Sequence, residues 1–539
     1  MLTQLLLAAA AMLGSGDVLC LKDGRVVDGV PIERKEGGFA LTYENGIVFV
    51  ANDLVQDAVL EADAALTPAD AESVEQKKNG MVTFEGRWIP AKKRAEIVAK
   101  RIAERRAAAA EAKARLEWRN RAIVETKNLR FEHQLPEHLF AEYREPLEAF
   151  FAAFSKTWKL ETPKDKARLP VNIYIDRKNF SQVGGVGGGV LAYYRFVRPY
   201  DLNGYYDRLD PEYSKHVLFH EFVHHLQKLV DLDFAYPHFP NESVAEYYGA
   251  SRYDPVTKKF TTGLLQEGRL WEIHSDIAAG EFMSLERLIN AERGEPTAYA
   301  HYTWGWSLVH YLMSDAKLRP KFESFFLALS KGKGIRREEM GIDNLRTCKQ
   351  DEVWRVFREE LGLEDGEAVR ELEVAWHDHV AELIAKNTSV SGKAKAGYAA
   401  LEGDPRRPLR AKRFFTEAIA EGSKSPRVFI ELAQLLIADG KVGDGLELLD
   451  KAIALDPLNG AFYGRKGRAL QDSGNETEGA RLRKLAQEIG GDDPWVLIEF
   501  TDEGDVKVGG DNSERPRSSG AANGCTGSSC APREQGAER

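Results

Sequence analysis

The sequence predicts a multidomain α+β protein: a small N-terminal β-domain, a long helix, a central α+β domain, a C-terminal array of helical repeats and an unstructured tail. Three observations predict it. Short apolar runs separated by Gly-containing pairs open the chain, strand-like and helix-like periodicities alternate through its middle, and a 34-residue internal repeat follows. At 539 residues the chain is too long for one ordinary core, because domains run to roughly 100–200 residues. Hydrophobic residues at 43% and charged residues at 29% give the balance of a soluble globular protein. The formal net charge of -10 excludes a general nucleic-acid binder, since no domain-wide basic excess is present to displace counterions.

The elements follow in chain order. Residues 1–16 open with the apolar stretch Met1–Gly14, which has signal-peptide length but lacks a preceding Lys or Arg. Read as a signal peptide, it implies a periplasmic or extracellular mature chain. The alternative is a short N-terminal helix or a misassigned start, and a cytoplasmic protein. No other segment approaches the ~20 apolar residues that cross a bilayer, so no integral membrane span is expected in the mature chain. The four cysteines, Cys20, Cys348, Cys525 and Cys530, form neither a disulfide framework nor a thiolate zinc site.

Residues 17–90 read as a small β-domain or two, SH3-like in the first part, with Asp23-Gly24, Gly37-Gly38 and Asn45-Gly46 as turns and a second β-element at Met81–Pro90. Residues 91–128 hold Ala, Lys, Arg and Glu without a Gly or Pro, the pattern of a long polar helix. Its basic face (Lys92, Lys93, Arg94, Lys100, Arg101, Arg105, Arg106) suits either solvent or an acidic partner. Residues 129–390 carry all the candidate chemistry. Residues 393–494 repeat at 34 residues: Ala418, Ala452 and Ala486 share one register, Gly440 and Gly474 another, and Asp456-Pro457 closes one helix pair. This segment resembles about two and a half tetratricopeptide repeats, whose stacked helix pairs imply a concave surface for a protein partner. Residues 503–539 lack large apolar side chains and are expected to be disordered.

The chemistry begins at His220-Glu-Phe-Val-His224. On a helix, residues four apart share one face, so two imidazoles reach one ion while Glu221 flanks them. The helical context is present. Asp210 is a good N-cap, Pro211 suits the first turn, and Val217, Leu218, Phe222, Leu226 and Leu229 form an apolar stripe. A hydrolytic zinc needs three protein ligands and one open position. Downstream, Asn241-Glu-Ser-Val-Ala-Glu-Tyr247 opens a second helical pattern, with Glu242 and Glu246 four apart.

Together the two motifs resemble the gluzincin metallopeptidases, distantly the aminopeptidase N family and more nearly the bacterial peptidase-MA-like proteins. The resemblance covers roughly residues 130–390. It implies a zincin-like α+β domain over 129–390, Zn2+ as cofactor, Glu242 as third metal ligand, and Glu246 as the acid that hydrogen-bonds a zinc histidine, His220 in particular. Seventeen residues separate His224 from Glu242, one fewer than in the aminopeptidase N pattern, and Ser243 stands where Gly is common. The segment His301–Leu312 resembles the clan's Tyr-containing helix, which implies Tyr302 as a donor to the tetrahedral oxyanion; His301 and His310 are alternatives. His225 points about 100° away from the metal face and reads as structural. The Gly-rich run Gly184–Gly189 does not match a phosphate loop. The clan resemblance suggests instead that Val190–Phe196 is a sheet edge for an extended peptide; a surface loop is the alternative reading.

The expected function is therefore a zinc-dependent peptidase. Zinc activates water, Glu221 serves as general base and Tyr302 stabilises the oxyanion. The lack of a Gly-x-Met-Glu-Asn element favours an endopeptidase over an aminopeptidase. The alternative is a zinc-binding but weakly active peptidase-fold scaffold for protein interaction.

Overall fold

The computed structural model describes residues 17–22, 25–60, 71–84, 87–160, 168–186, 190–197, 199–331, 335–340, 343–387, 389–402 and 406–490. The expected leader and tail lie outside the described residues. The described chain is mixed α+β with several small sheets and a C-terminal helical array. It divides into two compact units: the described residues of Met1–Leu116 with those of Ser425–Lys507, and Glu117–Lys424.

In the first unit, strands Val26–Asp28, Val18–Leu21 and Val55–Val59 form one sheet, and Ile32–Lys35, Gly38–Tyr43 and Gly46–Ala51 form a second. Residues Glu36 and Gly37 make one hairpin loop, where Gly37 supplies the left-handed φ of +80° that a side chain would resist. The next loop is Glu44–Asn45, one residue earlier than the Asn-Gly pair suggests. Strand alternation sends Leu41, Val48 and Val50 to one face. There they pack with Tyr463, Leu482 and Leu485 from helices Gly460–Asp472 and Glu476–Gly490. Arg25 pairs with Asp456 at 2.7 Å, and Asn45 bonds Glu488. The last repeat helices thus complete the β-domain's core. The Met81–Phe84/Arg87–Pro90 hairpin forms as expected.

The long helix is shorter than its composition suggests. It runs Ala91–Ala114; Trp118–Asn120 is a 3-10 turn and Ala122–Glu125 a strand of the second unit. Pairing of Ala122–Glu125 with Leu129–His133 overrides the helical composition up to residue 128. Part of the basic face is spent locally, with Arg106 on Asp28 and Arg101 over the Phe84 ring.

The array comprises three helix pairs: Val390–Glu402 with Pro408–Ala420, Pro426–Ala438 with Val442–Leu455, and Gly460–Asp472 with Glu476–Gly490. The repeating alanines Ala418, Ala452 and Ala486 are all fully buried, and Gly440 and Gly474 both turn left-handed after a helix. Within the repeat segment 393–494 the last two pairs belong to the first unit and the first pair to the second. There it packs on helix Glu267–Ala278 through glycine contacts: a Cβ on Gly268 would lie 2.9 Å from Lys395, and one on Gly392 2.5 Å from Trp271.

The second unit is built on a five-stranded mixed sheet ordered Ala192–Arg195, Asp201–Tyr205, Leu169–Tyr174, Leu129–His133, Ala122–Glu125. The central pairs are parallel and both edges antiparallel. Helix Pro211–Val230 packs on the Ala192–Arg195 edge and on helix His238–Gly249, which in turn packs on helix Trp304–Ser314. Phe150, Phe219, Phe222 and Phe260 make a ring-on-ring core beneath it. Among the described residues no helix is long and apolar enough to cross a membrane.

Candidate metal centre

Helix Pro211–Val230 starts as its sequence dictates. The Asp210 carboxylate accepts the Tyr213 N–H at 3.0 Å, and Pro211 occupies the first turn. From Leu218 to Leu229 every residue is buried, so this is a central helix with polar groups inside the protein. Buried polar groups require partners, and the partners define the site.

His220 Nε2 and His224 Nε2 converge on Glu242 Oε2, at 3.3 and 3.6 Å. Donor atoms held about 2.0–2.2 Å from a tetrahedral zinc lie about 3.3–3.5 Å apart, so this spacing fits one ion. A second observation agrees: His224 Nε2 and Glu242 Oε2 are buried atoms without a hydrogen-bond partner. The donor set, two imidazoles and a carboxylate, suits zinc. His220, Glu221 and His224 also form a buried cluster whose ligand atoms lie within 4.8 Å of one another.

The outward nitrogens are fixed from behind. His224 Nδ1 lies 3.2 Å from Asn241 Oδ1, so that N–H donates to the amide oxygen and Nε2 keeps its lone pair. His220 Nδ1 lies 3.5 Å from Glu246 Oε1. Glu246 is held in turn by Arg269 Nη2 at 2.7 Å and Nε at 3.2 Å, and by Gln266 at 2.9 Å. Arg269 also bonds Glu272 and Tyr299, and Arg407 reaches Glu272 at 2.7 Å. This network orients the ring.

The electrostatics follow from burial and charge. Burial disfavours a proton on His220, yet the Glu242 and Glu246 carboxylates outweigh it and raise its pKa to about 10. Burial wins at His224, which drops to about 4. Burial opposes ionisation of Glu242 as well, but His224 and His220 hold its carboxyl well below the usual range. Glu221 has the opposite fate: burial lifts it well above an ordinary carboxyl. Its Oε2 accepts the Tyr194 backbone N–H at 3.0 Å. Tyr194 belongs to the edge strand Ala192–Arg195, so that strand lies directly over the Glu221 carboxylate. Gly184 ends helix Arg177–Gly184, whereas Gly187, Gly188 and Gly189 lie outside the described residues.

Tyr302 sits where the 3-10 turn Pro296–His301 meets helix Trp304–Ser314, not within that helix. Its ring stacks beside His220 at 6.1 Å between centroids, and the Arg269 guanidinium lies over the Tyr302 ring, 5.7 Å from its centroid. His301 is engaged away from the His220–His224–Glu242 group. Its Nε2–H donates to the Leu288 carbonyl at 2.7 Å, so its Nδ1 must accept from His238 Nδ1–H at 2.6 Å. His310 pairs with His379 at 3.0 Å, and His225 Nδ1 meets the Tyr194 hydroxyl at 3.3 Å. Ser243 fits because Gly305 faces it: a Cβ on Gly305 would lie 2.1 Å from Ser243 Oγ, which donates to the His301 carbonyl.

Sequence reasoning missed Asn241 as the partner of His224, and Arg269 and Gln266 as supports of Glu246. Asn241 stood in the quoted motif, and its place beside Glu242 was the available signal. Arg269 lies 23 residues from Glu246, with no local pattern to mark it. Two cavities flank the ligands. One of about 690 Å³ touches His220, Glu221, Glu246 and Tyr302; another of about 360 Å³ touches His224, Glu242 and His238. No protein-family model matches the chain, and no curated protein matches it as a relative.

Proposed function

We propose that the chain is a zinc-dependent peptidase that hydrolyses peptide bonds with Glu221 as general base. The observation that carries this reading is the approach of two imidazole nitrogens to one Glu242 oxygen, at 3.3 and 3.6 Å, on a helix that also bears Glu221. Zinc held by His220, His224 and Glu242 supplies a Lewis acid that activates water near neutral pH and polarises a carbonyl.

The chain's own groups do the rest. Glu221 has a raised proton affinity from burial, which suits taking a proton from water and giving it to the leaving amine. The Tyr194 N–H holds one Glu221 oxygen and so aims the other. Tyr302, beside His220 and bordering the larger cavity, is the donor for the developing oxyanion. Strand Ala192–Arg195 is a sheet edge that pairs with an extended substrate. Cavities on both sides of the ligands favour cleavage within a chain over removal of an N-terminal residue. The C-terminal helix pairs are read as tetratricopeptide-like, a surface for a protein partner.

The test is metal analysis of the wild type beside Glu242→Ala, with a peptide-library cleavage assay on both. The expected result is stoichiometric zinc and cleavage in the wild type and neither in the variant. A wild type that binds no zinc overturns the reading.

A further inference from the structure

The edge strand reaches both cavities. Leu191 and Ala192 border the larger one, Tyr194 and Phe196 the smaller. An extended chain lying along Ala192–Arg195 therefore runs from one cavity into the other. Only alternate N–H groups of such a chain face the strand. The others face away from it, and inside a cavity they lose water and need a protein acceptor.

His238 is placed to supply one. Strand Ala192–Arg195 and helix His238–Gly249 both pack on helix Pro211–Val230. His238 opens its helix and borders the smaller cavity together with Tyr194 of the strand. His238 and Glu242 are four apart on that helix and share a face, so His238 stands one turn before Glu242, about 6 Å along the axis. An extended peptide rises about 3.3 Å per residue, so this offset matches an N–H one or two residues from the reacting carbonyl. The His238 and His220 rings lie 6.0 and 6.1 Å from the Tyr302 ring, which ties His238 to the same centre.

The hydrogen on His238 is set from behind. The Leu288 carbonyl can only accept, so His301 Nε2 carries the hydrogen of that 2.7 Å bond. Burial keeps His301 neutral, and its Nδ1 is then a bare acceptor. The 2.6 Å contact between the two Nδ1 atoms therefore uses the His238 hydrogen. Burial lowers the His238 pKa as well, so that ring is neutral and its Nε2 keeps a lone pair without a hydrogen. No described residue donates to this Nε2, and the atom is open rather than enclosed.

We infer that His238 Nε2 accepts a backbone N–H of the substrate, at the residue lying in the smaller cavity beside the scissile bond. The inference rests on the peptidase reading for its substrate. It makes His238 a specificity-determining residue, because a proline or an N-methylated residue at that position has no N–H to offer.

The test replaces N–H by O. An end-blocked hexapeptide that zinc-loaded full-length protein cleaves is remade with an ester in place of each non-scissile amide in turn. Each exchange deletes one donor with little change of shape. In the wild type, one such ester on the smaller-cavity side is expected to lower kcat/KM about tenfold. His238→Asn keeps an amide N–H near the place of Nδ1, to donate to His301, but has no atom at the place of Nε2. In that variant the same ester should cost less than about twofold. His238→Gln brings an oxygen to about the place of Nε2 and should restore most of the penalty. A purely structural role slows amide and ester alike, so an unchanged penalty in His238→Asn overturns the inference. A wild type in which no ester costs more than about twofold also overturns it, and that result needs no variant to fold. If no peptide is cleaved, the peptidase reading fails by itself. The hexapeptide library is then screened for binding, and the ester scan is read as Kd. A tenfold loss that His238→Asn abolishes and His238→Gln restores upholds His238 as the acceptor. Equal losses in all three proteins, or no binding peptide, overturn it.

Discussion

At the residue scale, the centre works through what stands behind each ligand. Asn241 fixes the His224 tautomer at 3.2 Å, and Asn241→Ala leaves that ring free to turn or to protonate on the wrong nitrogen. Zinc affinity should fall about 10–100-fold, read by competition with a chelator. Unchanged affinity would show that Asn241 orients nothing. Glu221→Gln keeps a similar shape and the Tyr194 contact but removes the proton acceptor. It should retain zinc while kcat falls by about 10²–10⁴. Hydrolysis at the wild-type rate in the zinc-loaded variant would refute the base assignment. Glu246→Gln is of a different kind. It removes one of the two carboxylates that face the buried Arg269 guanidinium and leaves Glu272, shared with Arg407, as the other; breaking a buried ion pair costs up to about 3–5 kcal/mol. Chemical denaturation should therefore report a destabilised second unit, beyond any change in zinc content.

At the scale of elements, close packing and buried histidines set the tolerances. Helices His238–Gly249 and Trp304–Ser314 approach so nearly that a Gly305 Cβ would lie 2.1 Å from Ser243 Oγ. Gly305→Ala should cost about 1–3 kcal/mol by overpacking. Ser243→Gly in the same chain should recover most of it, a coupling that a double-mutant cycle in urea measures. His301 is fully buried where the 3-10 turn precedes the second of these helices, and burial lowers its pKa to about 3. The folded pKa thus lies below the unfolded value of 6.5. Above that value both states are neutral and nothing is lost. As pH falls toward 3 the unfolded chain takes up a proton that the folded chain refuses, at about 1.4 kcal/mol per pH unit. His301→Asn should flatten the fall in urea midpoint between neutral pH and pH 4.5; an identical slope would remove His301 as its cause.

At the scale of the whole molecule, the chain interleaves its sequence between its two units. The N-terminal sheets are finished by helices from near residue 485, with Leu485 only 2% exposed among Leu41, Val50 and Tyr463. Leu485→Ala should destabilise the first unit by about 2–5 kcal/mol. Hydrogen exchange should locate the loss in residues 18–59 and 426–490, while zinc at the proposed centre, whose residues belong to the second unit, should stay bound. Zinc loss parallel to the loss of protection would show that the two units do not unfold separately.

Local chemistry made much of this legible in the sequence. The Asp210 cap, the Pro211 start, the four-residue spacing of His220 and His224, the buried alanine register and most hairpins depend on neighbours a few residues away, and those neighbours can be read directly. The expected extension of the helix to residue 128 failed because composition does not encode a strand partner, and Ala122–Glu125 finds one in Leu129–His133. Nor does the 34-residue period record what covers each pair: helix Glu267–Ala278 covers the first and the β-domain covers the last. By itself the sequence picked out the candidate metal-binding side chains and the helical faces on which they stand. Only the tertiary structure decided that Glu242 meets both imidazoles, that Arg269 anchors Glu246 and that His301 holds the His238 hydrogen on Nδ1. Those contacts join residues far apart along the chain, and no local period records how the packed helices bring them together.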